Sequence, residues 1–257
     1  MAYKKYGNDP GDTPAWSHIE ATGGLWSKKS TIRDSQSQAA AYAAYHLQAR
    51  PDLVSVAGMC ITKSQFSIFF VNACRVYVSN HIKLIDQMAG PLLYAFVWYL
   101  YHPQLDKSVS IDTRADPPKF SITLSEGQEF RNLKLKFTGS IPGRRTTVYI
   151  CDSNPGLVLK EQYIEKGCRF FEGTLLQKIH SQGEFPGVVR IDKYEPVRNN
   201  NQDVTVSYGD SIRFKTRLVL KDMGEPLMEV KKVGELLMTF YDFLESAHFY
   251  RYPKHGL

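Results

Sequence analysis

The sequence predicts an α+β fold: a mixed α/β N-terminal half, then an antiparallel sheet with one packed helix, then a C-terminal helix. Three observations carry this expectation. In the first hundred residues, short strand-like runs surround an Ala-rich stretch of helical character. Between residues 133 and 220 a second set of alternating runs is interrupted by one helix-like segment, the order expected of an antiparallel sheet with a helix laid on it. The stretch between the two sets, YHPQLDKSVSIDTRADPPK at 101–119, carries three prolines and several charges, which favours an extended connection.

Taken in order, residues 1–15 form a polar, flexible leader. An α/β leader domain over 16–102 opens with WSHIEATGGLW, a strand broken by Gly23 and Gly24. SQSQAAAYAAYHLQAR at 35–50 places Ala40, Ala44 and Leu47 on one face of a helix closed by Pro51. Strands are expected at 54–61, 65–71 and 75–78, then a buried helix near Leu92–Tyr101. A linker is placed at 103–118, and a second domain fills 119–257. That domain has strands at LKLKF (133–137), TTVYI (146–150) and LVLK (157–160), a helix from about Arg169, strands at VVRI (188–191) and IRFKTRLVL (212–220), and a last helix.

The chain has 257 residues, 43% hydrophobic and 23% charged, enough for one large core or two modest ones. Lys and Arg exceed Asp and Glu by 32 to 26, but the excess is shared between the halves, so nucleic acid is not an expected partner. Cys60, Cys74, Cys151 and Cys168 form no C-x-x-C pair and no histidine cluster has metal-ligand spacing, which suits reduced thiols inside a cell, in cytoplasm or nucleus. The N-terminus lacks the apolar core of a secretory signal. The apolar run Met88–Tyr101 falls short of the ~20 residues that span a bilayer. No membrane association is expected.

Residues 143–257 follow an order that resembles the small lobe of the fungal-type protein kinases: GRRTTVY, VLKEQY, RFFEGTLLQKI, FPGVVRIDKYE, RLVLKDMGEPL and VGELLMTFYDFLESAH. The first half is similar to that family's leader domain through WSHIEATGG, YAAYHLQARP and VAGMCITKSQFSIFFVN. The resemblance covers nearly the whole chain. It implies a protein-kinase-like small lobe behind a leader domain with a restriction-endonuclease-like core.

The resemblance assigns candidate roles. Lys160 closes an apolar strand as in the V-A-I-K pattern, where a lysine meets the α and β phosphates of ATP and a glutamate of the next helix holds it; here that glutamate is Glu172. Glu172, Leu176 and Ile179 share a helical face, so the carboxylate would lie among core residues; a helix turned to bury Phe171, Leu175 and Ile179 would instead leave it at the rim. In the phosphate-covering loop only Gly139 and Gly143 remain, and Arg145 stands where the family pattern often has glycine. Arg144 and Arg145 would attract phosphate by charge, or the segment is a solvated hairpin turn. Main chain near Lys221–Met223 would face adenine.

Phosphoryl transfer in these enzymes uses the Asp and Asn of H-R-D-x-x-x-x-N and the Mg²⁺-binding Asp of D-F-G, and the 257 residues contain neither motif. The expectation is a small lobe cut before the catalytic loop, which would follow Leu257. It would be catalytically incomplete and hold ATP weakly; as a fragment of a longer product it would instead belong to an active Ser/Thr protein kinase using ATP and Mg²⁺. The leader domain is expected not to cut nucleic acid, because Gly24 and Trp26 stand where the family often has the Glu and Lys of a nuclease strand. His180, Ser181 and Cys168 are close in sequence, which does not make a nucleophile and base. The other function class is an interaction module: the lobe surface left uncovered would bind a protein partner or a second copy.

Overall fold

The structure, a computed structural model, describes residues 2–3, 19–25, 32–141, 143–169, 171–181, 183, 187–224 and 229–251. It has mixed α+β architecture, mostly sheet, with four helices among the described residues. Trp16 and Trp26, and the leader apart from Ala2 and Tyr3, lie outside the described residues.

The first unit opens with β1 (Ala2–Tyr3) paired antiparallel to β2 (Ile19–Leu25). Then come α1 (Ile32–Ala49), β3 (Ser55–Ile61), β4 (Gln65–Asn72), β5 (Val76–Val78), β6 (Ile82–Lys83) and α2 (Ala89–Tyr101). The sheet order is β1-β2-β3-β4-β5, with β6 also paired to β4. Strands β2 and β3 are parallel because α1 crosses between them. The buried stripe of α1 is Ala39, Ala43 and Leu47, one residue from the expected Ala40 and Ala44. Small side chains let the helix lie close against Val56, Phe69 and Val71. Gly58 is needed under this packing, since a Cβ there would overlap the Phe69 ring.

The stretch expected as an extended linker is built into both units. Leu105 bridges to Leu53, the Asp106 amide donates to the Asp52 carbonyl at 2.7 Å, and β7 (Val109–Asp112) joins the second sheet. Proline content marked where regular structure is interrupted, but Val109 and Ile111 still supply an apolar edge.

That sheet continues through β8 (Lys119–Thr123), β9 (Glu129–Thr138), β10 (Thr147–Cys151) and β11 (Asn154–Glu165). It then takes in α3 (Glu172–His180), β12 (Ile191–Pro196), the small hairpin β13 (Arg198–Asn199) and β14 (Gln202–Asp203), β15 (Thr205–Tyr208) and β16 (Ser211–Leu220), before α4 (Val233–Arg251). The order is β12-β16-β11-β10-β9-β8-β7, with β15 beside β12 on the same edge of β16, and every pairing is antiparallel. The sheet curls. Val109, Phe120, Leu133, Tyr149, Leu159 and Val219, on strands from β7 at one end of the order to β16 beside the other end, share one buried cluster. The opposite face carries α3, with Leu176 against Val158, Leu218 and Leu220.

The two units are joined by a common core of Val54, Ala73, Tyr163, Val197, Val204 and Val206. Arg75 lies over the Tyr208 ring at 3.7 Å, and the Tyr77 hydroxyl donates to the Ser207 carbonyl at 2.7 Å. No described helix is long and apolar enough to cross a membrane.

Candidate functional site

Strand β11 runs on to Glu165, so Lys160 lies within it and not at its end. Alternation on a strand sends successive side chains to opposite faces. Leu159 enters the curled core, while Val158, Lys160 and Gln162 point to the face that carries α3. Lys160 is paired across the sheet with Val148 and Leu218, which fixes its height beneath the helix.

Helix α3 begins at Glu172, three residues later than expected. Phe171 precedes it in extended conformation and its ring meets Phe214 edge-on, 5.7 Å between centroids. Leu176 is buried and Leu175 is 38% exposed, so the helix buries the Glu172–Leu176–Ile179 face. Its far end is tied by a hydrogen bond between His180 Nε2 and the Val189 carbonyl at 2.9 Å. Gly173 permits this seat: a Cβ there would overlap the Tyr194 ring of β12. Gly173→Ala is therefore expected to lift the first turn of α3 and cost about 1 to 3 kcal/mol by overpacking, read as a lower urea midpoint at unchanged slope.

The pair expected from sequence is formed. Lys160 Nζ lies 2.8 Å from Glu172 Oε1 and 2.6 Å from Oε2, and Gln162 Nε2 donates to Oε2 at 3.3 Å. The side chains are 24% and 32% exposed. Glu172 sits in the first helical turn, where the N-terminal end of the helix dipole favours a carboxylate. Partial exposure keeps the energy small. Glu172→Ala should cost about 1 kcal/mol of stability, and a loss above about 3 kcal/mol would show that the pair is far more desolvated than its exposure indicates.

Beside the pair is a pocket of about 280 Å³ whose walls include Gly143, Arg144, Gln162, Glu165, Glu172 and Arg213. Gly143 therefore lies near the pair, with φ of 145°. Its N–H is directed elsewhere, donating to the Ala73 carbonyl at 2.8 Å. Arg145 is buried, and its guanidinium donates to the carbonyls of Leu53, Leu47 and Arg50 at 2.6, 2.7 and 3.0 Å. The charge expected to draw phosphate is thus held against the end of α1 and the turn after it. Neither the attracting-cation reading nor the solvated-turn reading describes that side chain. Met223 is 48% exposed beyond the end of β16. Next to it Asp222 binds Arg190, with Oδ1 2.6 Å from Nη2 and Oδ2 accepting from the Arg190 amide at 2.7 Å, and these bonds hold its carboxyl below the usual range.

Sequence reasoning missed a buried charge cluster on the other face of β11. Lys215 Nζ lies 2.6 Å from Asp106 Oδ2 and 2.8 Å from Glu161 Oε2, with all three side chains at most 4% exposed. Arg217 Nε donates to Glu161 Oε1 at 2.9 Å, its Nη1 to the Thr123 carbonyl at 3.0 Å and its Nη2 to Ser108 Oγ at 2.8 Å. The signal available was alternation in IRFKTRLVL, where Lys215 and Arg217 share a face with Val219. Charges on an apolar face imply partners. Their partners, from β11 and the supposed linker, are distant in sequence.

Gly24 lies in β2. Among the described residues no group of three or more His, Cys, Asp and Glu is placed to hold a metal ion.

A family model described as "Fungal protein kinase" matches residues 2–213, a span that includes Lys160, Glu172 and Gly143. No curated protein and no solved structure matches the chain. The chain belongs to the fungal protein kinase family.

Proposed function

We propose that residues 1–257 form a nucleotide-holding unit of a fungal-type protein kinase, with Lys160 contacting ATP phosphates and Glu172 orienting it. The observation that carries this reading is the bidentate Lys160–Glu172 contact between β11 and α3, since a strand lysine held by a helix glutamate is the arrangement kinases use on the α and β phosphates. An ammonium held by one carboxylate is a compact cation with a fixed position, able to draw a phosphate oxygen to the pocket beside it. Main chain around Lys221–Met223 is the proposed adenine side. Arg145 contributes by fixing the hairpin, not by touching phosphate.

Affinity is proposed to be weak, because the pocket of about 280 Å³ is smaller than ordinary ligand sites, which span about 300 to 1,000 Å³. Phosphoryl transfer is not proposed for these residues alone, because they contain no H-R-D or D-F-G sequence. In a complete kinase Mg²⁺ would neutralise phosphate charge, and the residues that hold it there have no counterpart in this sequence.

Calorimetric titration of the full chain with ATP tests the reading. Lys160→Met should weaken binding at least ~10-fold, the loss of one charge-assisted phosphate contact. Equal affinity in both proteins would reject Lys160 as a phosphate ligand.

A second reading, an interaction module, is favoured by the outer face of α2, where Tyr94, Trp98 and Tyr101 are 72%, 52% and 78% exposed, and by Leu237, Met238 and Phe240 of α4. Concentration-dependent sedimentation of the wild type that is lost in Trp98→Ser and Leu237→Ser together would support self-association. A constant monomer would count against it.

A further inference from the structure

We infer that the N-terminal α/β unit clamps the β9–β10 hairpin and withholds its backbone from a nucleotide, so that loosening this contact raises ATP affinity. The inference rests on the nucleotide reading above.

A loop that covers phosphates works by aiming backbone N–H groups at their oxygens. In this hairpin the two glycine donors are engaged. The Gly139 N–H closes the hairpin on the Thr146 carbonyl at 2.7 Å, the Gly143 N–H goes to the Ala73 carbonyl at 2.8 Å, and proline at position 142 has no N–H to give. The engagement of Gly143 is with the first unit.

Four further contacts hold the hairpin there. Arg213 Nη1 donates to both the Ala73 and the Gly143 carbonyls at 2.8 Å, so one guanidinium ties the two units at a point. Gln48 Nε2, near the end of α1, donates to the Gly139 carbonyl at 3.1 Å. Ile141 packs against the Ala39–Ala43–Leu47 cluster. Arg145 binds three carbonyls of the same unit. Gly143 thus lines the pocket beside the Lys160–Glu172 pair with its amide bonded to the Ala73 carbonyl.

A hairpin distributed between held and released positions binds nucleotide only in proportion to the released fraction. Weakening the hold shifts that fraction. Gln48 and Ile141 are suitable probes because each holds the hairpin against the first unit and neither lies in the wall of the pocket beside Lys160.

The test uses the full chain as wild type, Gln48→Ala and Ile141→Ser, each with and without Lys160→Met. Hydrogen exchange of residues 139–146 and ATP titration are read on all six proteins. Both loosened variants should exchange these amides at least ~10-fold faster and bind ATP ~5-fold or more tightly, and Lys160→Met should remove the gain. Unchanged exchange in both variants overturns the clamp. Lys160-dependent binding by the wild type with no gain in either variant overturns the inhibitory role while leaving the nucleotide site standing. Absence of Lys160-dependent binding in all six overturns the nucleotide reading and the inhibition that depends on it.

Discussion

Arg217→Ala is expected to destabilise the fold by about 3 to 5 kcal/mol, the cost of leaving a buried ion without its partner. The guanidinium is 1% exposed, serves Glu161, Ser108 and the Thr123 carbonyl, and has Asp106 3.6 Å away. Without it, Asp106 and Glu161 face Lys215 alone, all three side chains being at most 4% exposed. The pH dependence follows from the same cluster. Burial alone would push the Asp106 carboxyl up, but Lys215 and Arg217, with hydrogen bonds from Lys215 and Ser108, hold it at about 2. An unfolded aspartate titrates near ~3.9, so the folded group is depressed. Its stabilisation, about 2 to 3 kcal/mol, is present above pH ~4 and lost as pH falls towards 2. Urea unfolding of wild type at pH 7 and pH 3 should show part of this loss. Removing Lys215 and Arg217 should flatten that slope.

Arg145→Ala should cost about 2 to 4 kcal/mol, because three carbonyls lose charge-assisted donors in a buried place. Arg145 also has φ of 43°, in the left-handed region. That conformation costs a non-glycine residue about 1 kcal/mol or more. Arg145→Gly removes the same hydrogen bonds and relieves the backbone, so it should be less damaging than alanine by about 1 kcal/mol. Equal midpoints for the two variants would show that the backbone is not under strain.

The same residue shows what could be read without the structure. Glycine is what a left-handed position favours, which agrees with the glycine that the resemblance implies at 145; the role of the arginine there was not visible. Strands β9, β10, β11 and β16 were legible because their runs alternate, whereas β12 begins at Ile191, where the expected strand ends, and β8 and β15 were not anticipated. Strand β7 was not, because Val109–Asp112 sits among prolines and charges that argued against regular structure. The Lys160–Glu172 pair could be anticipated because the order of the surrounding segments resembles the kinase small lobe, in which a strand lysine meets a glutamate of the next helix. The Asp106–Glu161–Lys215–Arg217 cluster could not, because its members come from three segments that only the curled sheet brings together. The offset of the α1 stripe by one residue has a similar origin: an Ala-rich helix offers several small faces, and the sheet selects among them.

The most direct measurement is affinity labelling of the full chain with an acyl-phosphate derivative of ATP, which transfers its acyl group to a lysine amine lying against the phosphates, followed by peptide mass spectrometry. Lys160 is expected to be the site labelled, with labelling suppressed by excess ATP and lowered in Glu172→Gln, where the amine loses its orienting carboxylate. Labelling of Lys160 that excess ATP leaves unchanged, or ATP-sensitive labelling confined to other lysines, would contradict a nucleotide site at the Lys160–Glu172 pair.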